Sequence, residues 1–565
     1  MFKSLKTNNS NFLFQLLFLL AIPTTLVGQS KYPKVDYLFE TDTIPRYHGY
    51  AKANSISLSD NGNNMIVGGD FYGNSFRYGN FSITNIDSLD VLTNSVQTKY
   101  TDFFIAKVNP SNGKPIWVYG GGAKNPIAGY GESSKNETIR KVCQDNAGNI
   151  YAIGTHQGEI EFQGTVIEHK FAHDDRDVFI LKLNPNGKLI WYIYLDPAGG
   201  IDIHDNVFDA FCTKLGELIV GLKPSTSGYS NVQIYKFSNA GDFLYENIVS
   251  VKSEFLSGCS LSPCSNSEFI LNTTNVNIEK TTLSDTTLNP TGNNGIYRFS
   301  STLKLIWSTF FEADYSYVAR SNSNDDIWVS FNRKGNDCFA KYDKNGNKTY
   351  EYETKNTTTK TTDIFVNKAG DLFTCGNYLN PEKQIKFDLF TLPYSQTSGY
   401  KGYANTFITK FNNKDKQFTW AVNFHGWGNE CSSFNLNTND DIFFSATNKF
   451  YDNLGKSYVY YNDNKYNYNI EGWYLGRLSN TSLNVKSLDK LNLPVIYPNP
   501  CNDEISVRSS LINEMSIISI YNTTGGLILQ DIGNTTIPTK SLKSGIYILQ
   551  ISNDGISQNL RFVKE

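Results

Sequence analysis

One pattern of apolar and polar positions repeats along most of the chain. Two segments show it best, DFFIAKVNPSNGKPIWVYG at 102–120 and DVFILKLNPNGKLIWYIY at 177–194. In each segment a mainly apolar run leads into a turn rich in Asn, Pro and Gly, and a second apolar run with a tryptophan follows. Apolar runs joined by Asn-Gly turns are typical of antiparallel strand pairs. The pattern therefore predicts β-hairpins.

When the copies of the pattern are aligned, a column of four positions that includes a basic residue shows how often the pattern occurs. It consists of an aliphatic residue or Phe, any residue, Lys or Arg, and a large apolar residue. Its basic positions are Lys107, Lys182, Lys236, Arg298, Lys341, Lys410 and Arg477. An aromatic residue follows nine or ten positions later in six of these seven copies, at Trp117, Trp191, Tyr245, Trp307, Tyr350 and Trp420. The seventh copy has no such residue, whereas Tyr37 precedes the first copy.

A second recurrent segment precedes the basic column in most copies. Examples are SDNGNNMIVGG from Ser59 and QDNAGNIYAIG from Gln144, each a polar turn followed by a strand-forming run. Each unit thus contains four antiparallel strands, and units of about 40 to 75 residues are typical of β-propeller blades. We predict a seven-bladed β-propeller at 29–480, in which the strand around Tyr37 completes the blade that contains Gly472 to Leu478. Such closure removes the free edges of the first and last sheets.

A different pattern begins after a polar linker at 481–493. Alternating apolar residues mark half-buried strands, with Ile505 and Val507, Ile518 and Ile520, and Ile546 and Ile548 as the alternating pairs. We predict a small Ig-like β-sandwich at 494–565. The fold class is therefore all-β throughout.

The N-terminus predicts a signal peptide at 1–28. Lys3 and Lys6 precede an apolar run from Phe12 to about Ala21, and small and polar residues follow around Gly28. The alternative is a membrane anchor, but the run is too short for one. The rest of the sequence predicts no transmembrane segment in the mature protein.

Composition and charge narrow the classes of partner. The 565 residues carry a net charge of −3, so the sequence offers no basic field for nucleic acid. Aromatic residues make up 14% and charged residues 19%, which favours strands and turns over long surface helices. We expect no nucleic-acid partner.

Motifs that carry catalysis or bind cofactors are absent from the sequence. It contains no G-x-S-x-G, H-E-x-x-H or C-x-x-C motif, so we predict no catalytic residue, no metal and no cofactor. The HDDRD segment at 173–177 has two interpretations, a divalent-cation site or a solvated loop whose last Asp starts a strand, and we favour the second. Among the eight cysteines, Cys259 and Cys264 are the candidates for a disulfide, and the strand cysteines Cys143, Cys212, Cys375 and Cys431 are expected to be buried thiols.

Long connections locate a candidate binding surface. The Asn/Gly turns should lie on one face of the ring, and the long connections at about 71–101, 156–176, 378–403 and 449–468 on the other. Near the axis on that second face we predict ligand-binding residues, which are His204, Asp205, Tyr315, His425, Trp427 and Glu430. A glycan or a protein is the expected ligand. The alternative is a propeller-fold carbohydrate-active enzyme, a hydrolase or lyase, that uses Asp202, Asp314 and Glu430 as acid and base.

Two parts of the sequence resemble known families. The D-x-F-I-x-K-x-N-x-x-G-x-x-x-W pattern resembles the repeat of secreted bacterial β-propellers over about 31–480, and this resemblance implies a fold without a shared catalytic residue. Residues 494–565 resemble the type A sorting domain of the Bacteroidetes type IX secretion system. The characteristic positions are Pro498, Asn499, Pro500, Gly545, Tyr547 and Lys564. This second resemblance implies contact with the secretion machinery, passage through the outer membrane, and then release or attachment to surface lipopolysaccharide.

Overall fold

The chain separates into two compact units. A computed structural model describes residues 33–40, 42–43, 50–59, 62–73, 75–86, 101–123, 136–167, 176–195, 204–213, 215–225, 230–251, 258–274, 281–283, 286–288, 290–354, 359–378, 385–392, 405–426, 430–448, 457–461, 464–468, 472–479, 495–509, 512–514, 516–553 and 556–565. The first unit spans Ser30–Asn480, and the described part of the second begins at Val495. The predicted signal peptide and the predicted linker lie outside the described residues.

Strands dominate the first unit, as the alternating apolar pattern predicts. Helical structure in its described part is limited to a 3-10 turn at Ser265–Ser267 and a 3-10 position at Ile86. The first strands are β1 (Lys34–Glu40), β2 (Asp42–Thr43), β3 (Tyr50–Leu58), β4 (Met65–Tyr72), β5 (Ser75–Tyr78), β6 (Phe81–Thr84), β7 (Thr101–Val108), β8 (Pro115–Ala123), β9 (Thr138–Gln144), β10 (Ile150–His156), β11 (Ile160–Phe162), β12 (Thr165–Ile167), β13 (Asp177–Leu183), β14 (Leu189–Leu195), β15 (His204–Cys212), β16 (Leu218–Ser225), β17 (Ser230–Phe237), β18 (Phe243–Val251), β19 (Ser260–Pro263) and β20 (Phe269–Thr274). The others are β21 (Thr281–Leu283), β22 (Thr286–Leu288), β23 (Asn294–Phe299), β24 (Leu305–Phe311), β25 (Tyr315–Ser321), β26 (Ile327–Arg333), β27 (Asn336–Tyr342), β28 (Lys348–Glu353), β29 (Thr359–Val366), β30 (Leu372–Tyr378), β31 (Ile385–Phe387), β32 (Phe390–Leu392), β33 (Asn405–Asn412), β34 (Gln417–Gly426), β35 (Glu430–Leu436), β36 (Ile442–Asn448), β37 (Ser457–Tyr461), β38 (Asn464–Tyr468) and β39 (Gly472–Ser479).

Most of these strands form four-stranded antiparallel sheets, which we call blades. Within the described residues there are seven, and from the inside outwards they are β3-β4-β7-β8, β9-β10-β13-β14, β15-β16-β17-β18, β19-β20-β23-β24, β25-β26-β27-β28, β29-β30-β33-β34 and β35-β36-β39-β1. We number them blades 1 to 7 in this order. The inner strand of each blade contacts the inner strand of the next, and β35 contacts β3. The contacts therefore close a ring, which confirms the β-propeller fold.

The N-terminal strand completes the last blade. β1 pairs antiparallel with β39, and Tyr37 lies opposite Arg477 in the register. This is the position that the aromatic residues occupy in the other blades, since Trp117 lies opposite Lys107 and Trp191 opposite Lys182. The aromatic residue missing from the seventh copy is therefore supplied by the N-terminus.

In blades 1 to 6 the recurrent basic residue connects its blade to the next, whereas Arg477 pairs with Asp36 and Asp441 within blade 7. Lys107 Nζ donates to Pro185 O at 3.1 Å, and Lys182 Nζ donates to Asn239 O at 2.6 Å. Both acceptors lie in the outer turn of the following blade. The later copies add ion pairs, as for Lys410 Nζ and Asp440 Oδ2 at 3.1 Å. The column that revealed the repeat thus stabilises the ring.

The buried apolar side chains pack between neighbouring blades rather than within a single blade. One buried cluster joins Phe104 of blade 1 to Phe443 and Trp473 of blade 7. The rings of Phe104 and Trp473 stack with centroids 5.8 Å apart. Because each sheet buries its two faces against two neighbours, the propeller depends on a complete ring.

The long connections form additional strand pairs. Each of the four predicted segments contains a two-stranded hairpin, which are β5–β6, β11–β12, β31–β32 and β37–β38. β11 pairs with β8 at the outer edge of blade 1, and β37 pairs with β34 at the outer edge of blade 6. Two of the four hairpins thus extend a blade at its outer edge, away from the axis. They cover strand edges whose N–H and C=O groups would otherwise be unpaired.

The cysteine expectations are partly wrong. Cys375 and Cys431 form a disulfide that joins β30 of blade 6 to β35 of blade 7, whereas Cys259 and Cys264 remain free. Sequence proximity favoured the second pair, but the ring brings the first pair together across a blade boundary. Cys143 and Cys212 are free, with their sulfur atoms 2.6 Å apart.

The second unit is a β-sandwich. Its strands are β40 (Val495–Tyr497), β41 (Glu504–Arg508), β42 (Ile517–Asn522), β43 (Leu527–Ile532), β44 (Thr536–Pro538), β45 (Gly545–Asn553) and β46 (Ile556–Lys564). They form two sheets, β40-β41-β44 and β43-β42-β45-β46. As predicted, Ile505, Val507, Ile518 and Ile520 belong to its core.

Strand β45 buries the face opposite to the one suggested by Ile546 and Ile548. These two residues are exposed, and Tyr547, Leu549 and Ile551 are buried instead. Both faces of this strand are largely apolar, so its alternation does not reveal which face packs inward.

Candidate functional site

A polar cavity of about 240 Å³ lies on the axis of the ring. Its lining comes from the inner strands of blades 2 to 7, and representative residues, one from each blade, are Lys141, Asp209, Ser260, Arg320, Asp363 and Ser433. Only an axial position can touch so many blades.

A recurrent irregularity in the inner strands shapes the cavity wall. Within the described residues, six of the seven inner strands have a register shift against their neighbours, and the extra residues are Asn54, Arg140, Phe208, Tyr317, Thr362 and Ser432. A β-bulge of this kind bends a strand and redirects side chains. Four of these residues, Phe208, Tyr317, Thr362 and Ser432, contact the cavity directly.

An ion network centred on Asp209 crosses the cavity wall. Lys141 Nζ lies 3.1 Å from Asp209 Oδ1, and Arg320 Nη1 lies 3.0 Å from Asp209 Oδ2. Arg320 Nη2 lies 3.1 Å from Asp363 Oδ1. The backbone N–H of Leu261 also donates to Asp209 Oδ2 at 3.0 Å. Side chains from blades 2, 3, 5 and 6 are thereby held in one arrangement.

The surroundings of the two central groups determine their charge. Burial raises the pKa of Asp209, but the charges of Lys141 and Arg320 outweigh burial and hold this pKa below its ordinary value. Burial lowers the pKa of Arg320, but the carboxylates of Asp363 and Asp209 raise it above its ordinary value overall. Both groups therefore stay charged over the physiological pH range.

Serine hydroxyls connect successive inner strands around the same axis. Ser55 Oγ accepts from Val142 N at 3.1 Å, and Ser260 Oγ accepts from Ala319 N at 2.9 Å. Ser433 Oγ accepts from Ile56 N at 3.0 Å and so connects blade 7 to blade 1. These bonds give a partner to backbone N–H groups on the edge of a blade. Adjacent inner strands belong to different sheets, so these groups have no partner strand on that side.

Two of the predicted ligand residues have described side chains. Tyr315 begins β25, is 46% exposed, and has its ring centroid 6.0 Å from that of the cavity residue Tyr317. Glu430 begins β35 and is half-buried. The structure therefore places Tyr315 beside the cavity wall.

The other predicted ligand residues are described less completely. His204 and Asp205 begin the inner strand β15, and His425 lies near the end of the outer strand β34, but only their backbones are described. Trp427 lies outside the described residues. Their roles remain predictions.

Two carboxylates of the enzyme alternative, Asp314 and Glu430, belong to the described residues. Asp314 Oδ2 accepts a hydrogen bond from Gly335 N at 3.1 Å, which ties it to the turn between β26 and β27. Asp202 lies outside the described residues. Of the HDDRD segment, the structure describes Arg176 and Asp177, and Asp177 begins β13 and accepts from Tyr194 Oη at 2.6 Å.

The described residues contain no group of three His, Cys, Asp or Glu side chains that could hold a metal ion. Within the same residues, no helix has the length and apolar character needed to cross a bilayer.

The sequence reasoning missed the ion network, although a signal for it exists. Seven hairpin turns follow the inner strands, and the residue four positions before each turn forms a column, which is Ser55, Lys141, Asp209, Ser260, Val318, Asp363 and Ser433. Six of these seven residues are polar, although they lie in otherwise apolar strands. Aligning the copies on the turn would have revealed this column.

The predicted sorting residues come together in the second unit. Asn499 Oδ1 accepts from Val563 N at 2.8 Å, and Asn499 Nδ2 donates to Arg561 O at 3.2 Å, so the loop is attached to β46. The flanking Pro498 and Pro500 both follow cis peptide bonds. At the same strand end, Gly545 lies opposite Lys564 in the register.

Tyr547 packs close to this point. Its ring stacks on Phe562 with centroids 5.6 Å apart, and its hydroxyl donates to Lys543 O at 2.9 Å. It thereby anchors β45 to β46 near the last residues of the chain.

Comparison with known proteins identifies this second unit. Residues 495–565 match the model of a secretion system C-terminal sorting domain. The match confirms the predicted sorting domain, and with it export to the extracellular space or the outer-membrane surface by the type IX system. No curated protein matches the chain.

Solved structures with similar folds are distant. The Dos1 propeller is 11% identical with a TM-score of 0.36, over 76% of this chain and 93% of that chain. A protein from Lactobacillus plantarum is 11% identical with a TM-score of 0.35, over 65% of this chain and 82% of that chain. At such scores the evidence for the propeller is the strand order of this chain itself.

Proposed function

We propose that this exported propeller is a binding protein, which recognises a glycan or protein ligand through the axial cavity and the surface around it. The observation that carries the proposal is the ion network of Lys141, Asp209, Arg320 and Asp363. Four blades hold these groups in place, so little ordering is needed when a ligand binds. Preorganised polar groups in a concave site favour recognition.

The pairing of the cavity carboxylates with cationic side chains supports binding over acid–base catalysis. A general acid or base changes its protonation state during turnover, which is most efficient when its pKa lies near the working pH. Asp209 has a lowered pKa and two cationic partners, and Asp363 is paired with Arg320. Both are suited to positioning rather than to proton transfer. The carbohydrate-active enzyme with Asp202, Asp314 and Glu430 remains the alternative.

A glycan array probed with the mature protein tests this proposal. We expect at least one immobilised glycan to be bound, with weaker binding by Tyr315→Ala, because this exposed ring lies beside the cavity wall. Asn186→Ala is the matched control, since Asn186 lies in an exposed turn at the other end of the ring, and its binding should equal that of the wild type. Glycan cleavage that is lost in Asp314→Asn would instead establish the enzyme alternative.

The fate of the protein after export is a separate proposal. By its resemblance to type A sorting domains, the second unit is expected to be removed, after which the propeller is released or attached to lipopolysaccharide. Cell fractionation with mass spectrometry of the mature C-terminus distinguishes the outcomes. An added lipopolysaccharide mass in the membrane fraction indicates attachment, and an unmodified propeller in the medium indicates release.

A further inference from the structure

The charged groups that line the axial cavity are not balanced. Three cationic side chains, Lys141, Arg320 and Lys360, face two carboxylates, Asp209 and Asp363. The lining therefore has one excess positive charge. A cavity with an uncompensated cation attracts anions.

The central carboxylate has little capacity left for a ligand. Asp209 accepts from Lys141, Arg320, Leu261 N and Ala210 N. Asp363 Oδ1 is paired with Arg320 and also accepts from the N–H of the next residue at 2.9 Å. At Asp209 a ligand cation would have to displace an existing partner.

The cations, in contrast, have donors to spare. Lys360 is exposed and forms no ion pair with any described residue. Lys141 forms one ion pair, although an ammonium group carries three N–H donors. Both amines can therefore donate to an added acceptor.

Hydroxyl groups beside Lys360 also lack partners. Thr361 is 1% exposed and lines the cavity, yet its Oγ1 has no hydrogen-bond partner among the described residues. The same holds for Oγ1 of the adjacent Thr362. Buried hydroxyls are normally satisfied, so these two, next to Lys360 in the same strand, are available to a polar group that reaches them.

Size and shape restrict the ligand further. The volume of about 240 Å³ is below the roughly 300–1,000 Å³ of pockets that enclose drug-sized ligands, and it suits one sugar residue. Phe208 and Tyr317 supply aromatic surface in the same wall. Aromatic faces beside hydroxyls and ammonium groups match a ring that carries C–H groups, hydroxyls and a carboxylate.

We infer that the cavity binds a single acidic sugar residue, with Lys360 and Lys141 holding its carboxylate and Thr361 and Thr362 bonding its hydroxyls. The inference rests on the proposed binding function and names its ligand class. β29 supplies three of these four residues and is the main recognition element.

Titration calorimetry of the mature protein with D-glucuronate, D-galacturonate and D-glucose tests the inference. We expect at least one uronate to bind at least tenfold more tightly than glucose. Lys360→Gln should weaken uronate binding about tenfold to a hundredfold, the range for losing a hydrogen bond to a charged group. Lys368→Gln is the matched control, because Lys368 is an exposed lysine in the turn that follows the same strand.

Each contrary result has a distinct meaning. Equal affinity for the uronates and glucose, or unchanged uronate binding by Lys360→Gln, overturns the inference. If acetate binds as tightly as a uronate, the cavity does not recognise the sugar ring, and the inference of an acidic sugar fails. If no uronate binds while the array shows another glycan bound, this inference fails and the proposed function stands. If the array is also blank, both the inference and the glycan part of the proposed function fail.

Discussion

Tyr37 and Arg477 lie opposite each other on β1 and β39, although they belong to the two ends of the propeller sequence. The Tyr37 hydroxyl donates to Pro110 O at 3.1 Å in blade 1. A Cβ added at Gly113 would lie 2.8 Å from the Tyr37 ring, just as one at Gly187 would touch the Trp117 ring. Tyr37 therefore closes the ring with the same contact between an aromatic ring and a turn glycine that joins blade 1 to blade 2.

Replacing Tyr37 should destabilise the whole propeller. Tyr37→Ala removes the ring packed on Gly113 and leaves a cavity, so we expect the free energy of unfolding to fall by about 2 to 4 kcal/mol. Urea denaturation followed by tryptophan fluorescence measures this change. Tyr192→Ala is the control, because Tyr192 is 41% exposed on the outer strand β14, and a change within about 0.5 kcal/mol is expected there. Equal effects of the two substitutions would refute the closure role of Tyr37.

Asp209→Asn should be costly because it leaves two cations without their partner. Breaking a buried ion pair by removing one member costs about 3 to 5 kcal/mol. We expect a loss of this order in the free energy of unfolding of the propeller. Asp415→Asn, in an exposed turn of blade 6, should have almost no effect. A small loss for Asp209→Asn would show that the network does not stabilise the ring.

The disulfide between blades 6 and 7 should contribute to stability. The double variant Cys375→Ala/Cys431→Ala is expected to lose about 2 to 4 kcal/mol of unfolding free energy, since the cross-link restricts the unfolded chain. Thermal unfolding with and without reductant provides an internal control. Reductant should lower the midpoint of the wild type towards that of the variant and leave the variant unchanged. A wild type insensitive to reductant would contradict this expectation.

Asp337 should make stability depend on pH. Burial raises the pKa of Asp337 to about 7, and the nearby polar side chains of Thr359 and Asn332 offset this only in part. The unfolded carboxyl has an ordinary pKa of about 3.9. Between these two values the folded state binds more protons, so this group makes the free energy of unfolding fall as pH rises from about 4 to about 7.

The variant Asp337→Asn isolates this contribution because its amide does not titrate. We expect the stability of the wild type relative to the variant to decline with rising pH, by at most about 1.4 kcal/mol per unit, and to level off above about pH 7. Urea denaturation of both proteins at several pH values measures the difference. Parallel curves would show that Asp337 titrates normally.

Removal of residues 495–565 should stop export but leave the propeller folded, since the ring closes through β1 and needs no strand from the second unit. We expect the truncated protein to accumulate in the periplasm, as fractionation and protease accessibility would show. Fusing residues 481–565 to an unrelated periplasmic protein is the reciprocal control and should give surface delivery. Normal export of the truncated protein would contradict the assignment.

Much of the candidate site was beyond sequence reasoning. Tyr315 was predicted because an aromatic residue at the start of an inner strand stands out locally. Asp209 was missed because its polar column appears only when the copies are aligned on the turn, and Arg320 lies outside that column. Their pairing depends on the ring, which places Arg320 Nη1 3.0 Å from Asp209 Oδ2.

The sequence by itself determined the hairpins, the repeat and the closure by Tyr37. These features depend on side-chain alternation and turn chemistry within a few residues, and on a count of copies that needs no coordinates. Only the tertiary structure decided which polar residues meet on the axis, that Cys375 pairs with Cys431, and that long connections cover the outer edges of the blades. The physical reason is that these contacts join different blades, and the ring geometry rather than the local sequence sets the distances between them.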